Sequence, residues 1–133
     1  LNELLEAERA GARVTLATAK DAAHARFKPL AMAVHRDEAR WCGVLTAAIH
    51  RLQGAPSLAT GAFYDKAMAI ADIQARLAFL NRGQGWVVRK LKALLPTIRD
   101  EAVHADLAAM LASHERNIDL VAAELPTPKQ DGV

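Results

Sequence analysis

Every stretch of this chain long enough to be a regular element spaces its apolar residues three and four apart, and none alternates apolar with polar. Residues at that spacing share one face of an α-helix, whereas a half-buried strand needs a period of two. The chain is therefore expected to be all-α. Alanine and leucine supply most of an apolar content of 52%, while aromatics make up only 5%, which favours helix further. At 133 residues the chain has the length of one domain.

Four amphipathic helices follow from the pattern. The first runs from about Asn2, its cap, to about Ala23, with Leu1, Leu4, Leu5, Glu8, Gly11, Ala12, Thr15, Leu16 and Ala19 facing inward. The second opens at Pro29, which suits a first helical turn, and closes near Leu52 before Gly54 and Pro56. Its inward face is Ala31, Val34, Glu38, Trp41, Leu45, Ala48, Ile49 and Leu52, with Arg36, Asp37 and Arg40 directed elsewhere. Residues 54–61, rich in Gly, Pro, Ser and Thr, form the one long connection and carry the chain across the assembly. The third helix spans about Ala62 to Leu95, with a kink or break expected near Gly83 and Gly85. The fourth starts after Pro96, capped by Thr97 or Asp100, and ends near Leu125. Short, long and short connections predict an antiparallel four-helix bundle over 1–125 with one long crossover between helices 2 and 3. Residues 126–133 read as a flexible tail.

The third helix echoes the first. At a constant offset Leu4, Arg9 and Val14 fall on Leu77, Arg82 and Val87, and Glu8 falls on Asn81. The same offset carries Trp41 onto His114. Each inward stripe also holds a polar residue where an apolar one belongs: Glu8, Glu38, Asn81 with Gln84, and His114 with Asn117. Positions equidistant from a hairpin turn lie at similar height, which places these residues in one polar layer across the middle of the bundle.

That layer resembles the ferritin-like superfamily, the bundles of rubrerythrin and bacterioferritin type. The family places a Glu on helix 1, Glu-x-x-His on helix 2, a Glu on helix 3 and Glu-x-x-His on helix 4, which together bind two irons. Glu8, Glu38 and His114 match three of these positions. Trp41 stands where the helix 2 histidine should be, Asn81 replaces the helix 3 carboxylate, and Leu111 replaces the helix 4 Glu. The chain resembles a bacterial branch of the superfamily with an incomplete di-iron motif.

Two carboxylates and one imidazole cannot bridge two irons, which need about four carboxylates. The favoured reading is a metal-free, hydrogen-bonded core in a binding or assembly module, with Trp41 and Leu111 filling the lost ligand positions. The alternative is a metal-dependent oxidoreductase or metal-binding protein holding iron or another divalent ion on Glu8, Glu38 and His114. A third reading is a small-ligand binder that uses the vacated space, with Asn81, Gln84 and His114 as polar contacts. The resemblance implies a homodimer; the protein or small molecule it meets is not identified by sequence.

Other features restrict rather than assign. A formal charge of +2 gives no basis for a nucleic-acid or membrane partner, and no run approaches the roughly 18 apolar residues of a span. Leu1-Asn-Glu opens a polar-faced helix rather than a signal peptide, so the cytoplasm is the expected compartment. Cys42 is alone and reads as a small core residue. Glu101-Ala-Val-His104 has Glu-x-x-His spacing but falls in the first turn of its helix, where an acid serves the helix dipole. His35 reads as off the stripe, and His24 and His50 as exposed.

Overall fold

The computed structural model describes residues 1–125, with side chains omitted at 22–24; the expected tail, 126–133, and the side chain of His24 lie outside the described residues. Among the described residues the chain is all-helical, with no strand. Five α-helices follow in order: α1 Asn2–Lys20, α2 Lys28–Arg51, α3 Phe63–Met68, α4 Ile73–Leu94 and α5 Glu101–Glu124. Short 3-10 turns at Ala22–Phe27 and Leu95–Thr97 join α1 to α2 and α4 to α5. None of the described helices is long and apolar enough to cross a membrane.

The expected third helix is two helices. Its interruption lies at residues 69–72 rather than at Gly83 or Gly85. Asp72 causes the restart, because its Oδ2 accepts the Ala75 N–H at 2.8 Å and caps α4. Arg76, one turn into α4 and buried, then reaches back. Its Nε donates to the Ile70 carbonyl at 3.0 Å and its guanidinium donates to Thr18 Oγ1 at 3.2 Å. Gly83 serves packing instead. A Cβ there would lie 2.9 Å from Phe63 Cε1, so its absence lets the Phe63 ring rest on α4.

Asn2 does not cap α1. Its side chain donates to the Ala55 carbonyl and accepts from Ser57 N–H, while the Arg9 guanidinium donates to the carbonyls of Ala59 (2.6 Å) and Ser57 (2.9 Å). The long connection is thus strapped along α1. Asp100 does cap α5, accepting from Ala102 and Val103 N–H; Thr97 instead donates to the Leu94 carbonyl.

The apolar interior falls into two clusters. One gathers Leu4, Leu5, Trp41, Leu45, Val87, Leu91, Leu107 and Met110; the other gathers Val14, Phe27, Val34, Ala67, Leu77, Leu80 and Val121. On each long helix buried polar residues lie between the two sets: Glu8 on α1, Glu38 on α2, Gln84 on α4, and His114 with Asn117 on α5. Burial of a large apolar side chain stabilises by about 1.5–3 kcal/mol. These polar positions forgo that gain, and their chemistry explains what replaces it.

Candidate functional site

The layer is built from three hydrogen-bonded groups and one lone carboxyl. In the first group His114 Nδ1 lies 3.0 Å from the Met110 carbonyl. A carbonyl only accepts, so Nδ1 carries a proton and Nε2 is turned toward α1. There it meets Glu8 Oε1, and neither atom has another partner. Both side chains are almost fully buried. Burial pushes the Glu8 carboxyl above the usual carboxylate range, and the bond to His114 only partly offsets this. Burial disfavours a charged His114, but the bond and charge of Glu8 outweigh it and raise the imidazole above its ordinary value.

A second group runs along α2 and α5. Trp41 Nε1 donates to Ser113 Oγ at 3.2 Å, Ser113 in turn donates to Asp37 Oδ2 at 3.4 Å, and Asn117 Nδ2 donates to the same oxygen at 3.0 Å. Asp37 was expected to point elsewhere; it is half-buried and is the acceptor that this group is arranged around. Trp41 lies in the first apolar cluster. Leu111 does not fill the centre of the layer: it is half-buried at the edge of that cluster.

Glu38 has no such partner. Its side chain is 2% exposed, and Oε1 forms no hydrogen bond. Its other oxygen rests where Gly11 lacks a side chain, since a Cβ on Gly11 would sit only 1.7 Å from Glu38 Oε2. Burial drives the Glu38 carboxyl well above the usual range, and the nearby Glu8 and Asp37 add to the shift.

The amides of α4 complete the site. Asn81 Nδ2 donates to the Ile118 carbonyl at 3.0 Å, which leaves Asn81 Oδ1 to accept from Gln84 Nε2 at 3.2 Å. The accept-only carbonyl at one end fixes the orientation of both amides. Gln84 Oε1 is consequently left over: the residue is 3% exposed and this oxygen has no partner.

Beside Glu38 and Gln84 lies a cavity of about 340 Å³, lined by Ala7, Glu8, Gly11, Phe63, Leu80, Gly83, Trp86 and Val87 as well. Trp86, 38% exposed, marks its outer side. The volume falls at the small end of the range of ligand pockets, and mostly apolar walls with a few polar groups are their usual make-up.

The iron that a ferritin-type resemblance implies does not fit these residues. The imidazole nitrogen free to bind a metal, His114 Nε2, is engaged by Glu8. Among the described residues no three His, Cys, Asp or Glu side chains are grouped to hold a metal ion. Glu101 and His104 are exposed, as is His50. His35 is half-buried, and its Nδ1 donates to the Ala12 carbonyl at 2.7 Å. Nor is Cys42 suited to nucleophilic work: burial pushes its thiol up to about 11.

Sequence signals for Ser113 and Arg76 existed but were indirect. A buried indole needs an acceptor for its N–H, and Ser113 adjoins His114 on the inward face. Arg76 falls one helical turn after the capping Asp72.

Helices alone, a buried acid–imidazole pair and a cavity lined in part by Glu38 and Gln84 define an all-helical protein with a polar interior layer. Residues 1–123 match a family model described as "Domain of unknown function (DUF6306)", and the chain belongs to that family. No curated protein and no solved structure matches it.

Proposed function

We propose that this domain is a ferritin-like antiparallel four-helix bundle that binds a small organic molecule, without a metal, in the cavity between α1, α2, α3 and α4. Cross-helix pairs support the topology. Numbers rise on one helix as they fall on its neighbour for Gly11–Glu38 and Ala12–His35 on α1 and α2, Asp37–Asn117 and Arg51–Asp100 on α2 and α5 with its cap, and Glu3–Lys90 and Thr18–Arg76 on α1 and α4. The chain from α2 to α4 is then the crossover.

The observation that carries the function is a 340 Å³ cavity lined by Glu38 and Gln84, two buried side chains that each keep one oxygen without a hydrogen-bond partner. A buried polar group left without a hydrogen bond costs about 1–3 kcal/mol. Such a cost is retained where the group serves an occupant. The test is a screen of small organic fragments by ligand-observed NMR against the parent and against Ala7→Phe, which places a ring in the cavity from its half-buried α1 wall. Binding that Ala7→Phe removes supports the reading; binding unaffected by it, or no binding, refutes it.

Self-association is proposed on the resemblance, with Leu52, Leu58 and Leu120 as exposed apolar contacts. Light scattering of the parent reports it directly. The cytoplasm is the proposed compartment.

A further inference from the structure

We propose that the occupant of this cavity is an apolar primary amine, a compact aryl or alkyl group ending in an ammonium whose N–H bonds go to Glu38 Oε1 and Gln84 Oε1. The inference rests on the small-molecule reading above and gives it a chemical class.

The polar demand of the cavity is one-sided. Its two orphaned atoms are both oxygens that can accept. Gln84 Oε1 is confined to accepting, because its amide nitrogen is committed through Asn81 to the Ile118 carbonyl. A ligand matching the site must therefore bring at least two donors, which an ammonium has and a single hydroxyl lacks.

Charge selects in the same direction. Glu8, Glu38 and Asp37 are neighbours in the layer, while no Lys or Arg lines the cavity. A carboxylate ligand would face the Gln84 Oε1 acceptor and find no Lys or Arg on the lining to neutralise it. Burial favours the protonated Glu38 carboxyl in the empty cavity, so a binding ammonium supplies the counter-charge as that proton leaves to solvent, and charge-assisted hydrogen bonds are about twice as strong as neutral ones.

The walls suit the remainder of such a molecule. Phe63, Leu80, Trp86 and Val87 are apolar, and two of the four are aromatic. Phe63 is held in place by stacking on Phe79, with ring centroids 5.0 Å apart, and by the missing side chain of Gly83.

The experiment is calorimetric titration of the parent with phenethylamine, 2-phenylethanol and phenylacetate, which share a ring and differ in the polar end. The expected result is at least about tenfold tighter binding of the amine than of the alcohol, and no binding of the acid. Glu38→Gln should abolish the preference for the amine over the alcohol. Gln84→Leu, a second variant of similar volume, should weaken the amine selectively. Amide NMR dispersion establishes that each variant is folded. Equal or tighter binding of the alcohol or acid overturns the amine class and leaves the small-molecule site standing. Absence of binding by all three probes and by the wider fragment screen removes both.

Discussion

Glu38→Gln should make the protein more stable than the parent, by a margin that grows with pH. Glu38 is buried without a partner, and burial holds its carboxyl well above the ordinary value of 4.5, with Glu8 and Asp37 contributing. Above pH 4.5 the unfolded chain has released this proton while the folded chain keeps it. The folded state then binds more protons than the unfolded one, so stability falls as pH rises. The slope for one proton is at most about 1.4 kcal/mol per pH unit, and it persists up to the folded pKa. Glutamine has nearly the same shape and does not titrate, so the variant loses this share of the slope. Glu8, raised by burial, and His114, raised by Glu8, act with the same sign and remain in the variant. Glu3 and Asp100, lowered mainly by Lys90 and Arg51, act oppositely, and only as pH falls into the acid range. Urea unfolding of both proteins at intervals from about pH 5 to pH 8 measures the difference. A variant advantage that increases across that range is expected. A constant difference, or one that shrinks as pH rises, would refute a buried, unpartnered carboxyl at position 38.

Gly11→Ala should destabilise by about 1–3 kcal/mol in thermal or urea unfolding, because the new Cβ occupies the position of the Glu38 carboxyl. It should also weaken any cavity ligand, since the displaced carboxyl has the cavity beside it. Trp41→Ala should cost about 3–5 kcal/mol, as it empties the largest fully buried side chain and removes the donor to the Ser113 hydroxyl. Asp72→Ala should cost about 1 kcal/mol, with faster amide exchange confined to the first turn of α4. Ferrous or zinc ions should leave the Tm unchanged, as His114 Nε2 is engaged by Glu8; a rise that His114→Ala abolishes would revive the metal reading.

Periodicity made most of the fold legible, since a stripe at helical spacing tells which residues face inward whatever the partners are. It could not locate the interruption at 69–72. The apolar pattern runs through Ala67, Ile70 and Ile73 unbroken, and the break depends on Asp72 and Arg76 bonding to backbone groups. Glycine misled in the same region, because Gly83 answers to the Phe63 ring, a contact between elements twenty residues apart in sequence. In the site, Glu8, Glu38, Gln84 and His114 stood out as polar residues on apolar stripes. Which of them paired did not, for pairing is set by rotamers and by the tautomer that Met110 imposes on His114. Asp37, at the margin of its stripe, looks solvent-facing in sequence; only Asn117 reaching it from α5 gives it a place in the layer.

The most direct measurement is a crystal structure of the protein purified without chelator or nickel resin and soaked with phenethylamine. Density for the ring between Phe63, Leu80, Trp86 and Val87, with nitrogen within hydrogen-bond distance of Glu38 Oε1 and Gln84 Oε1, is the expected result. A metal ion held by Glu8 and Glu38, or a cavity closed by a repacked Phe63 and empty of ligand, would contradict it.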